Sequence, residues 1–168
     1  FISKLFSISE GLVLTGFIVI SSALSVVIVY EIAARFTNIK SGILASFLWM
    51  TYPFFLWLTK QPNSEIIFMV FLLSACMLLF STACFQKTRQ APYFFSGVLL
   101  GIAILIRPIA VFFPVILLIS VFYSLGNLSF VKKGLLAIIF LAGVLLPILP
   151  WEGLVYAKTG KIVLISEN

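Results

Sequence analysis

The sequence predicts an all-α transmembrane protein, a polytopic helical bundle of about six spans, and three observations carry that prediction. Of 168 residues 62% are hydrophobic and only 10% charged, with a mean hydropathy of +1.25. A soluble domain carries roughly 25% charged residues, so a chain this apolar cannot cover a water-facing surface. Apolar runs close to the ~20 residues that a ~30 Å hydrocarbon core requires recur along the chain. Basic residues fall in the short segments between those runs, as orientation in a membrane demands. The 11 Lys and Arg stand against five acids, all Glu, for a net charge of +6. No run of basic and aromatic residues resembles a nucleic-acid surface, so nucleic acid is excluded as a partner and membrane lipids are the expected surroundings.

The opening "FISKLFSISE" places Ile2, Leu5, Phe6 and Ile8 near one face, which suits an interfacial helix on the outer surface. The first span is 11–30, "GLVLTGFIVISSALSVVIVY", followed by "EIAARFTNIK" with Arg35 and Lys40. The second, 42–58, ends in "TYPFFLWL", where Tyr52, Trp57 and Lys60 suit an interface belt. After "TKQPNSE" the third span runs 66–85. Its two cysteines, Cys76 and Cys84, lie eight apart on one helix, which disulfide geometry forbids to pair; they are expected as free thiols packed like small hydrophobes. They offer no metal-ligand cluster either.

Past Lys87 and Arg89, the region Tyr93–Leu125 would be about 50 Å long as one helix, far beyond the core. It divides best at Arg107-Pro108, because proline suits the first turn of a helix and drives the preceding residue out of helical geometry. Spans 93–106 and 108–124 result. The last span, 134–151, follows Lys132 and Lys133, and 152–168 is expected to begin an outer-side loop. Arg35, Lys40, Lys87, Arg89, Lys132 and Lys133 then face inward, and Lys4, Lys60, Arg107, Lys158 and Lys161 outward. Six against five decides little, and a five-span arrangement without the break scores six against four; span length favours the break. The chain is expected to be one membrane domain, an interior piece of a longer protein.

Arg107 is the residue this arrangement must explain. A guanidinium at mid-membrane costs about 2.5–3.5 kcal/mol on insertion scales. Irregular backbone at that depth is tolerated only if buried in protein or lining a wet cavity. Arg107 would then stand in a recess open to the outer side, with paired donors suited to phosphate. The plainer alternative has it snorkel to headgroups or bridge to Glu65. Glu65 itself either serves that recess or answers the helix dipole behind a Ser64 cap. Gly97 and Gly101, in "GVLLG", point to close helix packing. "NLS" at Asn127 matches a glycosylation acceptor but falls on the inner side, so chance accounts for it.

The order of these features resembles the polytopic GT-C glycosyltransferases of the protein O-mannosyltransferase and aminoarabinose-transferase type. The resemblance rests on "YEIAARF", on "GILASFLWMTYPFFLWLTKQPNSEIIFMVFLL", on "SGVLLGIAILIRPIAVFFPVILL" and on "LLPILPWEGLVYAKTGKIVLISEN". In that family a glycine-bearing helix runs into an Arg-Pro turn, as Gly97, Gly101, Arg107 and Pro108 do. A later span ends in Pro-Trp before a polar segment with Tyr and Gly, as Pro150, Trp151, Tyr156 and Gly160 do. The resemblance implies an integral membrane transferase, expected in a bacterial plasma membrane. It would pass a hexosyl or pentosyl group from a polyprenyl-phosphate donor to a glycan, lipid or protein acceptor on the extracytoplasmic side. Arg107, Glu65, Trp151, Tyr156 and Lys158 are its candidate substrate-binding residues.

Two departures stand out. The family's acceptor-activating carboxylate lies in a first outer loop, expected upstream of Phe1, so the catalytic base is not assigned and this stretch alone is expected to be inert. The family's Arg-Asn pair after Pro-Trp is replaced by Leu154 and Val155, with Lys158 a candidate for the missing charge. No cofactor is evident, though a divalent metal is compatible with the chemistry. A transporter or lipid flippase would also hide an Arg in broken helices, but usually shows an inverted repeat, which this stretch lacks. A purely structural subunit leaves Arg107 without a reason.

Overall fold

Hydrocarbon offers a backbone no hydrogen-bond partner outside the protein, and the computed structural model is accordingly helical across all its apolar runs. It describes residues 10–59, 64–84, 89–126 and 128–160. The helices are α1 Glu10–Phe36, α2 Ile39–Thr51, α3 Pro53–Thr59, α4 Ser64–Cys84, α5 Gln90–Ile106, α6 Phe113–Ser124 and α7 Phe130–Thr159, with a 3-10 turn at Pro108–Phe112. The expected interfacial helix, Lys60, Lys87, Asn127 and Lys161 lie outside the described residues. Two compact units form, Phe1–Leu73 and Ser74–Asn168, and their boundary falls within α4.

In the first unit α1 and α2 form a hairpin. Asn38 stops the incoming chain with an extended backbone and caps α2, its side chain accepting a hydrogen bond from Ser41 N at 2.8 Å. Gly42 lets the helices meet closely, since a Cβ there would lie 2.9 Å from Ala34 Cβ and 3.0 Å from Tyr30. A buried stripe of Ile18, Ser21 and Ser25 runs along α1, while Phe17, Val19, Ile20 and Val27 are exposed. Small residues within and large ones without is the pattern of helices facing protein on one side and lipid on the other. Trp49 Nε1 donates to Ser25 Oγ at 3.1 Å, and Ser25 Oγ donates to Ser22 O at 2.7 Å.

The second predicted span is not straight. Tyr52 is extended, and α2 and α3 are bent 59° apart around it. The cause is Pro53, which lacks an N–H and bars Tyr52 from helical geometry. Together the two helices are long and apolar enough for one bent crossing. Trp49 and Phe55 pack across the bend with ring centroids 5.4 Å apart, while Tyr52, Phe54 and Trp57 are exposed.

In the second unit α5 and α7 pack in parallel through glycine. A Cβ on Gly97 would collide with Phe140 O and lie 3.1 Å from Gly143 Cα; one on Gly143 would collide with Phe94 O. A Cβ on Gly101 would lie 2.6 Å from Pro147 Cγ. The GxxxG of α5 therefore admits the backbone of α7 at both steps, with a proline ring also at the second. Ser96 Oγ, fully buried, donates to Ala75 O of α4 at 2.8 Å.

α7 runs past the expected end at Trp151 to Thr159, so the first eight residues assigned to an outer loop are helical. Pro147 and Pro150 lie within the helix rather than ending it, as neighbouring helices permit in membrane proteins. Gly160 ends it in the left-handed region at φ 66°, its N–H bonding Tyr156 O at 2.8 Å. With α1 and α4, α7 is one of three described helices long and apolar enough to cross a membrane unbroken; α5 and α6 are shorter.

The glycine contacts separate tight positions from open ones. Gly97→Val and Gly143→Val should each destabilise by about 1–3 kcal/mol or more, as overpacking does. Gly16→Val and Gly134→Val, where an added Cβ would meet nothing within 4 Å, should leave thermal unfolding in detergent nearly unchanged. Equal losses at all four positions would contradict the packing described.

Candidate functional site

Arg107 sits where α5 ends. Its backbone is extended, φ −141° and ψ 111°, and its N–H closes the helix on Ala103 O at 2.9 Å. Pro108 then opens the 3-10 turn, whose Ala110 N–H bonds Arg107 O at 3.2 Å. Proline disfavours the helical conformation at Arg107; the apolar run breaks there, and α6 begins after the five-residue turn. The residue is half-buried. Around the turn Ala110 and Leu117 are buried, while Ile109 and Phe112 are more than 70% exposed. The turn thus has a protein-facing side and an apolar outer side.

The register of α5 against α7 gives this turn a depth. Gly97 lies against Gly143, and Gly101 against Pro147, in the same parallel sense. Carried six residues on, about 9 Å along each axis, that register sets Arg107 level with Glu152 and Gly153. From there α7 continues to Thr159, about 10 Å further. From Gln90 to Ile106, α5 has 17 residues, about 25 Å, which is less than the ~30 Å core. By that register α7 extends past the level of Arg107.

Of the residues named from sequence, Trp151 and Tyr156 share the end of α7 beside and beyond that level, both exposed. Lys158, in the last turn, is exposed as well, about 9 Å beyond Glu152. Leu154 is exposed and Val155 half-buried. Glu65 belongs to the first unit, in the opening turn of α4, where a carboxylate meets the positive end of the helix. Ser64 is the first residue of that helix rather than the cap before it.

Glu152 was not singled out from sequence. It is half-buried, with its Oε2 shielded from solvent. The available signal was its place as the one acid between Trp151 and Tyr156. At the level of Arg107 it sets a carboxylate and a guanidinium at one depth of the second unit. Among the described residues no three His, Cys, Asp or Glu side chains group as metal ligands. Chemically, the end of this unit offers a planar cation, one carboxylate, exposed aromatic faces and a lysine nearer the surface. That set suits an anionic head with a flat or apolar body.

Residues 1–151 match the family described as dolichyl-phosphate-mannose-protein mannosyltransferase. No curated protein and no solved structure matches the chain.

If Pro108 causes the break, Pro108→Ala should let α5 extend into the turn. Amides of residues 107–112 should then exchange with deuterium more slowly than in the parent. Unchanged exchange would show that the break has another origin.

Proposed function

Because the chain belongs to the dolichyl-phosphate-mannose-protein mannosyltransferase family, which makes membrane glycosyltransfer its activity in general, we propose a specific role for the break at Arg107. It holds the phosphate of a polyprenyl-phosphate sugar while the sugar passes to an acceptor on the extracytoplasmic side. The lipid tail of such a donor stays in the bilayer, so its phosphate must be met at or just below the interface. A cation at the Arg-Pro break suits that position.

In the transfer, the bond between the anomeric carbon and the phosphate oxygen breaks, and its electron pair leaves with the polyprenyl phosphate. A new bond forms from the acceptor oxygen to the anomeric carbon, and the acceptor proton passes to a base. Negative charge grows on the departing phosphate, so fixed donors there lower the barrier more than they strengthen ground-state binding. The Arg107 fork can give two parallel N–H bonds to phosphate. Trp151 and Tyr156 offer faces to the sugar or acceptor, and Lys158 attracts the anion from outside. The observation that supports this reading is the half-buried Arg107 at the Arg-Pro helix break, together with the family match.

The test is transfer from a polyprenyl-phosphate sugar by the full-length protein in liposomes. Arg107→Ala should lower kcat by about 10²-fold or more, the usual loss for one transition-state donor. Arg107→Lys keeps the charge without the fork and should fall by about tenfold. Parental rates in both variants, with normal folding, would make Arg107 structural and remove this site.

A further inference from the structure

The start of α5 and the start of α7 lie at one end of the second unit, away from Arg107, and a cavity of ≈180 Å³ opens there. Gln90, Lys132, Leu135 and Leu136 line it. Its volume far exceeds the about 10–15 Å³ needed to admit one water. The transfer reaction proposed above makes no use of it.

Its chemistry is that of an anion site with an apolar side. Lys132 supplies the cation and Gln90 an amide donor. Lys133 is turned elsewhere, its Nζ donating to Phe122 O at 3.3 Å. Neither α5 nor α7 has an acid in its first turn. The nearest described acid on these helices, Glu152, lies about 30 Å along α7 from Lys132. Neither helix start carries a side-chain cap: Arg89 and Ser129 occupy the cap positions without making one. First-turn amides and the positive helix ends therefore face this region from two helices.

A second observation points the same way. Tyr93, one turn along α5 from Gln90, is 1% exposed, and its hydroxyl has no hydrogen-bond partner among the described residues. Buried hydroxyls are nearly always satisfied, so one left open a single turn from the cavity-lining Gln90 marks a place for a bound acceptor.

The rest of the lining selects the kind of anion. Leu135 and Leu136 form the apolar part, and the adjoining Phe130 and Val131 are 80% and 81% exposed. A soluble phosphate has no use for that surface, whereas a lipid brings acyl chains to cover it. We propose that this cavity binds the phosphate headgroup of an anionic membrane lipid. Lys132 and Gln90 donate to the phosphate, and Leu135 and Leu136 pack against the start of its acyl chains. The site is separate from the Arg107 break and does not depend on the reading of that break.

The experiment is lipid titration of the detergent-purified full-length protein by native mass spectrometry, with phosphatidylglycerol and phosphatidylcholine as probes. Phosphatidylglycerol should bind preferentially, and Lys132→Glu should weaken it about tenfold or more, as loss of a charge-assisted hydrogen bond does. Lys132→Gln, which folds even if the charge reversal does not, should weaken it in the same direction, and Lys158→Glu should not. Millimolar inorganic phosphate should fail to displace the lipid. Equal binding of the two lipids, or unchanged phosphatidylglycerol binding in Lys132→Gln, would overturn the proposal. Displacement by inorganic phosphate would overturn the lipid as the source of the anion.

Discussion

A polypeptide crossing hydrocarbon stays helical unless protein or water takes over its backbone hydrogen bonds, and in the second unit the chain leaves helical geometry at Arg107. The rest of that unit is arranged around the break. α5 stops short of a full crossing, the 3-10 turn carries the chain round, and α6 returns from it. α7 supplies what α5 lacks. It passes the level of the break and continues to Thr159.

Close approach of α5 and α7 makes that arrangement possible, and it rests on three glycines. Lipid tails are as apolar as leucine, so burial of apolar side chains does little to join helices in a membrane; shape and polar contacts do. Gly97 and Gly143 remove side chains where the two backbones meet, and Gly101 receives the ring of Pro147. The same step that fixes the helix pair also fixes how deep Arg107 lies relative to Glu152. Ser96 on Ala75 O, and in the first unit Trp49 on Ser25, add polar links between helices. Such links are worth roughly 0.6 kcal/mol on average in a membrane, enough to set orientation though not to drive assembly.

Much of this was legible in the residue order, because local rules decide it. Arg107-Pro108 lay inside a run too long for one crossing, and length and proline chemistry agreed on a break. Gly97 and Gly101 were legible as a packing face, but their partners were not: nothing local says that Gly143 and Pro147 meet them. The same proline rule applied to Tyr52-Pro53 went unused, since 42–58 has the length of a straight span and gave no reason to divide it. The end of the last span at Trp151 fell short in the other direction, since α7 runs on through the more polar residues that follow to Gly160. Glu152 escaped notice because its importance is one of depth, and depth depends on the register of two helices distant in sequence.

The central claim, that the position of Arg107 is reached by water from the extracytoplasmic side, can be tested directly. In a background with Cys76 and Cys84 replaced by alanine, a single cysteine at position 107 would be exposed to a membrane-impermeant thiol reagent added from that side. The account predicts labelling, slowed by a polyprenyl-phosphate sugar. A correctly inserted protein whose thiol stays unmodified from that side, with or without donor, would contradict it.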